Sequence, residues 1–204
     1  MDKLFSFLGA RKDRETSIEI SLTPGASDHL KRMILRPNPE LAEFGFFGLG
    51  QNGTIDQILD LDEKDLSYKN GLTHSLGGFS SNVGGNEWNG LVQKLIQSGR
   101  RGDFLVFGHF HPSGTKRIAG ATYHIDPGEA LLVPSGGSLR DPTTGGDIGF
   151  FKALTELNPN LVPYMGIAAN TKSGPKLRIY EIDKLIKIRR YNDIDHVPQT
   201  TIDL

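Results

Sequence analysis

The chain has no cysteine anywhere in its 204 residues. That absence excludes a disulfide framework, a thiolate zinc finger, an iron–sulfur cluster and a cysteine nucleophile. An excess of charge of one sign is also missing. The 23 Lys and Arg face 24 Asp and Glu, for a formal net charge of -1, which leaves no global electrostatic footprint for DNA or RNA. Long apolar runs are missing too, since none approaches the ~18 residues a membrane helix needs. The opening Leu4-Phe5-Ser6-Phe7-Leu8 is too short for a signal-peptide core before Arg11-Lys12-Asp13-Arg14 intervenes. These absences imply a cytoplasmic protein with no membrane partner.

What is present can fold. At 37% hydrophobic the chain can bury a proper core and is not compositionally disordered. Its 25 glycines follow no collagen period and point to many tight turns.

Periodicity places the elements. Ser17-Ile18-Glu19-Ile20-Ser21-Leu22 alternates as a strand, and Ser27 to Arg36 reads as a helix capped by Ser27 and stopped by Pro37 and Pro39. Phe44 to Leu49 reads as a buried strand. It pairs with Thr54 to Leu61 across Gln51-Asn52-Gly53, where Asn-Gly is a hairpin signal. Asp62 to Gly85 is polar and glycine-rich, so mostly loop. Glu87 to Ser98 reads as a helix carrying Trp88, Asp103 to His111 as a strand, and Asp147 to Leu157 as a third helix. Short strands are expected at Ala121 to Ile125 and Ala130 to Val133, and longer ones at Val162 to Ala169 and Lys176 to Ile182. Asp183 to Tyr191 fits helix or strand, and the tail from His196 is undefined. Strands mixed with about three helices, without strict alternation, imply an α/β (α+β) sheet layered by helices.

The most informative segment is Gly108-His109-Phe110-His111-Pro112-Ser113-Gly114. Side chains two apart on a strand share a face, so His109 and His111 can aim both imidazoles at one point while Phe110 packs the other way. Zinc favours neutral imidazole, and a catalytic site takes three protein ligands and leaves one position open. Two surface histidines on an edge strand would give the same spacing. An amidohydrolase barrel, which also uses His-x-His, needs roughly 250 residues. The metallo-β-lactamase pattern continues with Asp-His, whereas this chain continues with Pro-Ser-Gly. Asp147 opens a helix after Thr144-Gly145-Gly146, which makes it a rigidly held third ligand or, equally, a first-turn helix acid.

A strand ending in His-x-His-Pro, followed by Ser/Thr-x-x-Asp at a helix start and preceded by an upstream Glu, resembles the JAB/MPN (JAMM) zinc metallopeptidase family of prokaryotic type. The Glu matches at Glu43, just before Phe44-Gly45-Phe46-Phe47-Gly48-Leu49-Gly50, and the likeness covers roughly residues 17–182. The gap from His111 to Thr144 is long for the family, the hydroxyl residue is Thr rather than Ser, and Ser138-Leu139-Arg140-Asp141 offers a rival Ser-x-x-Asp. Asp147 is preferred because a helix begins there, while Pro142 follows Asp141. His111-Pro112-Ser113-Gly114 and Asp141-Pro142-Thr143 also resemble the RadC branch, as if residues 115–140 were inserted between them.

The resemblance implies a single MPN-like domain over residues 17–192, with a mixed central β-sheet layered by about three helices and terminal arms at 1–16 and 193–204. It implies Zn2+ held by His109, His111 and Asp147, Glu43 as general base and Thr144 as oxyanion donor. The reaction is hydrolysis of peptide or isopeptide bonds at the C-terminus of ubiquitin or a ubiquitin-like protein, with such conjugates as substrate. The other readings are a non-catalytic MPN scaffold, which usually loses part of the ligand set, and a RadC-like protein of DNA-associated function, to which the net charge of -1 lends nothing. His29, His74, His124 and His196 have no partner pattern. The loops at Gly71 to Gly85 and Thr115 to Arg140 flank the expected site, and the basic stretch Lys172 to Arg190 reads as a solvated face.

Overall fold

The computed structural model describes residues 18–38, 41, 43–60, 72–75, 78–81, 104–118, 121–157 and 162–204. The expected helix at Glu87 to Ser98 and the arm at 1–16 lie outside these. Seven strands form one sheet in the order β1-β3-β2-β6-β9-β10-β11. They are β1 (Ser21–Leu22), β2 (Gly45–Gln51), β3 (Thr54–Asp60), β6 (Phe104–His111), β9 (Tyr164–Thr171), β10 (Gly174–Glu181) and β11 (Gln199–Asp203). β1 runs parallel to β3 and β6 parallel to β9, and the other neighbours are antiparallel. Two hairpins stand apart, β4 (Leu72–Ser75) with β5 (Gly78–Ser81) and β7 (Gly114–Ile118) with β8 (Ala121–Ile125). The first pair falls in a stretch expected to be mostly loop. Among the described residues the helices are α1 (Pro24–Leu35), α2 (Gly146–Leu157) and the single turn α3 (Ile182–Leu185). Among the described residues no helix is long and apolar enough to cross a membrane.

The expectation of an MPN-like α/β domain, a sheet layered by about three helices, is overturned. Among the described residues the molecule is mostly sheet, and its mixed seven-stranded sheet curls into a nearly closed, barrel-like form with few helices. The curvature has local causes. The register slips between Leu49 and Gly50 on the β3 side of β2, and between Gly48 and Leu49 on the β6 side. Such bulges bend a strand and increase its twist. The helix α1 touches β1 and β3 near one edge and β9 and β10 near the other. From it, Lys31 Nζ donates to the Leu204 carbonyl at 3.2 Å, so one helix spans the sheet's concave side rather than forming a layer.

Alternation then sorts the side chains. Phe46, Val106, Ala168 and Ile179 join Leu30, Met33 and Ile34 of α1 in one core. Phe47, Phe107, Ile167 and Tyr180 join Ile148, Phe151 and Leu154 of α2 in the other. Across the sheet Phe46, Gly108, Gly166 and Ile179 lie in one register row. The Phe46 ring fills the space where a Cβ on Gly108 would lie. Two missing side chains on β6 and β9 thus seat one buried ring.

Local signals account for several boundaries. The β2–β3 hairpin turns on Asn52 (φ 52°) and Gly53 (φ 76°), the left-handed pair that an Asn-Gly type I′ turn requires. The helix α1 begins at Pro24 rather than Ser27, because Thr23 Oγ1 accepts the Ala26 N–H and proline suits a first helical position. The apolar run expected as a strand at Ala130 to Val133 is instead a 3-10 turn, Glu129–Leu132. The tail expected as an arm is an edge strand, with β11 paired to β10 from Lys176↔Asp203 to Tyr180↔Gln199.

Candidate metal centre

The centre is built at the end of β6, the middle strand, between β2 and β9. Alternation along β6 puts Phe110 on one face and His109 and His111 on the other. The Phe110 N–H donates to the Phe44 carbonyl at 2.9 Å, and the Phe44 and Phe110 rings stack with centroids 4.7 Å apart. Arg36 closes this reverse face, its guanidinium carbon 3.7 Å above the Phe44 ring and its NH1 donating to Asp60 Oδ2 at 2.7 Å. With Phe44 committed there, its neighbour Glu43 falls on the histidine side.

Ligand atoms of Glu43, His109 and His111 all lie within 4.8 Å of one another, close enough to hold a metal ion. The two Nε2 atoms are 2.8 Å apart, and Glu43 Oε1 is 4.0 Å from His111 Nε2. Glu43 and His109 are buried, at 6% and 4% exposure. Asp147, in the first turn of α2, adds a second carboxylate. Its Oδ1 is 3.1 Å from His109 Nε2 and its Oδ2 is 3.5 Å from His111 Nε2. The sequence-expected ligands His109, His111 and Asp147 and the expected base Glu43 are therefore brought to one point.

The donor set suits a cation. His111 Nδ1 donates to the Leu131 carbonyl at 2.6 Å. This places the proton on Nδ1 and turns the Nε2 lone pair toward the cluster, the usual way a ligating histidine is oriented. Two imidazole nitrogens with carboxylate oxygens form a set that a borderline ion such as zinc accepts. Burial alone would lower the pKa of His109, but the charge and hydrogen bond of Asp147, then the charge of Glu43, outweigh it and the pKa is raised. Burial would likewise raise Asp147, yet attraction and hydrogen bonding to His109 and His111 hold it far below the usual carboxylate range. His109 and Asp147 are placed to form an ion pair, and a cation at this point would take over the role of the imidazole proton.

Thr144 behaves differently from the expectation. It is exposed, and its hydroxyl donates to the Asp141 carbonyl at 2.9 Å. The rival Asp141 is also engaged in its own loop, where Oδ1 accepts the Thr143 hydroxyl at 3.0 Å and the N–H donates to Ser138 Oγ at 2.9 Å. The hydroxyl that meets Asp147 belongs to Ser135. Its N–H donates to Asp147 Oδ2 at 2.6 Å, and its Oγ accepts the Asp147 N–H at 3.0 Å. Gly146 makes this approach possible. Its φ is +61°, and a Cβ there would lie 2.6 Å from Ser135 Oγ. His124 is held elsewhere, by Thr115 Oγ1 at 2.6 Å and Asp126 Oδ1 at 2.9 Å on the β7–β8 hairpin and its exit.

Among known proteins, no family model matches this chain and no curated protein does.

Proposed function

We propose that this protein is a zinc-dependent hydrolase that cleaves peptide or isopeptide bonds, with conjugates of ubiquitin or a ubiquitin-like protein as its substrate class. The observation that carries the reading is a buried carboxylate, Glu43, beside two histidines whose Nε2 atoms converge. The order of Glu, His-x-His-Pro and helix-opening Asp adds the likeness to JAB/MPN peptidases. That likeness rests on the site, because the fold does not share the expected layering.

In this reading His109, His111 and Asp147 hold the zinc and Glu43 stands beside it. Zinc held there would supply Lewis-acid chemistry, lowering the pKa of a water to about 7. Glu43 takes a proton from the attacking water and returns it to the leaving amine. Its reach fits, since Oε1 is 4.0 Å from His111 Nε2. The Ser135 hydroxyl accepts from the Asp147 N–H and keeps its own proton for a substrate oxygen, the role first expected of Thr144. The hairpin β7–β8 leaves the site directly after His111 and offers backbone along which an extended chain end can lie.

The test pairs zinc analysis with cleavage of a linear ubiquitin-like fusion. Glu43→Gln should bind zinc as wild type does and lose cleavage by about 10²–10⁴-fold, the usual worth of a general base. Full activity in Glu43→Gln, or wild-type protein that binds no zinc, refutes the reading.

A further inference from the structure

Residues Leu131 to Ser135 form a strap over the centre, and both of its ends touch proposed ligands. The Leu131 carbonyl receives His111 Nδ1, while Ser135 holds Asp147 through two hydrogen bonds and takes the Ile148 N–H on its carbonyl at 3.1 Å. The strap belongs to neither hairpin nor sheet, so no strand ladder supports it. Two of its three intervening carbonyls are held by phenols. Tyr180 OH donates to the Leu132 carbonyl at 2.9 Å, and Tyr191 OH donates to the Pro134 carbonyl at 2.8 Å.

We propose that Tyr180 and Tyr191 are positioning residues of the metal centre, which act by pinning the strap that orients His111 and Asp147. The inference rests on the metal-site reading above. Tyr180 belongs to β10 and is completely buried in the core that contains Phe107 and Ile167, so its hydroxyl is fixed by the sheet itself. Tyr191 opens the 3-10 turn Tyr191–His196 and packs against the same core. Anchors therefore alternate along the strap: a ligand, a phenol, a second phenol, a second ligand. Displacing the Leu132 carbonyl tilts the peptide plane next to the one that holds His111, and displacing the Pro134 carbonyl tilts the very peptide whose Ser135 N–H donates to Asp147. Burial pushes both phenols above their ordinary pKa, Tyr180 to about 12, so both remain protonated donors at neutral pH. The strap is also seated by the buried Leu132 side chain, while the ion pairs before it are weaker ties. Lys176 and Arg178 reach Glu129 at 3.0 and 3.3 Å just before it, in half-exposed ion pairs of the kind that contribute little.

The experiment titrates Zn2+ against a chromogenic chelator and records the visible spectrum of the Co2+-loaded protein. It uses the full chain as wild type, Tyr180→Phe, Tyr191→Phe and Met33→Ala. The last lies in the α1 core on the other face of the sheet and controls for lost stability. Each phenylalanine variant should lose about 10–100-fold in zinc affinity, the usual cost of removing an outer hydrogen bond to a ligand shell, and should shift the cobalt band. Met33→Ala should melt earlier yet keep wild-type affinity and spectrum. Wild-type affinity and spectrum in both tyrosine variants overturn the proposal, as does an equal loss in Met33→Ala. If Tyr180→Phe does not fold, Tyr191→Phe decides alone, because Tyr191 is only half-buried. Wild-type protein that binds neither ion refutes the metal-site reading itself, and the inference with it.

Discussion

Adding one methyl group at Gly108 should destabilise the protein, and shortening Phe46 should relieve it. A Cβ at Gly108 would lie 2.7 and 2.8 Å from the Cε1 and Cε2 atoms of Phe46, against a comfortable ~3.5–4 Å between carbons. The Cζ atom lies closer still, so the ring must retreat by more than about 1 Å. It has little room to do so, because Phe46 is 0% exposed and packed among Leu30, Met33 and Ile34 of α1, Val106 and Ile179. Overpacking of this kind costs about 1–3 kcal/mol. Replacing a strand glycine by alanine returns ~0.5–1 kcal/mol of backbone entropy, which leaves a net loss of roughly 1–2 kcal/mol for Gly108→Ala. At about 2–4 °C per kcal/mol for a chain of this size, Tm should fall by roughly 2–8 °C. Phe46→Leu alone leaves a small cavity and costs on the order of 1–2 kcal/mol. In the double variant the new methyl enters the vacated space, so the cost should fall below the sum by about 1 kcal/mol. Urea and thermal unfolding of the four proteins measure this coupling. Costs that add to within about 0.5 kcal/mol would show that the ring and the glycine do not share space as described. Gly108 adjoins His109, so zinc affinity should fall in Gly108→Ala and recover in the double variant.

Asp147→Asn should abolish tight zinc binding while Asp141→Asn leaves it unchanged; the reverse result in a zinc titration would make Asp141 the ligand. In metal-free protein, stability should peak in mildly acidic solution. His109 is raised above 6.5, so its contribution is full below that value and is lost as pH rises through its folded pKa. Asp147 is depressed below 3.8, so its contribution is full above that value and is lost as pH falls through its folded pKa. Melting in a chelator should therefore show Tm declining on both sides of that window, and a Tm that climbs steadily from pH 6 to pH 9 contradicts the assignment. Thr23→Ala removes the cap of α1, but the bond is long at 3.4 Å, so a loss near the low end of the capping range, about 0.5 kcal/mol, should appear in urea unfolding.

Where a fold feature follows from adjacent residues, the sequence could be read. Asn52-Gly53 can hardly be anything but a tight hairpin, because both residues tolerate the left-handed region. Asp147 after two glycines reads as a helix start, and α2 begins at Gly146. Where a feature depends on distant partners, it could not be read. The run Ala130-Leu131-Leu132-Val133 has the composition of a buried strand. It forms a 3-10 turn, and the carbonyls of Leu131 and Leu132 are taken by His111 and Tyr180 instead of a ladder. The polar tail Gln199-Thr200-Thr201-Ile202-Asp203 shows no strand face of its own, and its structure comes from the register of β10. The curl of the sheet is of the same kind. It arises from two register slips and a buried ring over two glycines, which no local pattern announces.

The site divides along the same line, and Ser135 shows how. His109 and His111 are two apart on one strand, so their convergence is a property of seven residues. Ser135 stands 12 residues before Asp147 and 24 residues after His111, in a stretch with neither helical nor strand period. A Ser-x-x-Asp template sought the hydroxyl three residues before the aspartate and selected Thr144, whose proton is committed to Asp141. The better signal was the pair of diglycines, Gly136-Gly137 and Gly145-Gly146. A Cβ on Gly146 would collide with Ser135, and one on Gly137 would collide with Thr144 and Gly145. Two diglycines eight residues apart thus mark two chain segments in backbone contact, and residues that flank such a contact become neighbours whatever their spacing. In this chain the contact between Gly136-Gly137 and Gly145-Gly146 sets Ser135 beside Asp147, twelve residues apart, where a Ser-x-x-Asp spacing does not look.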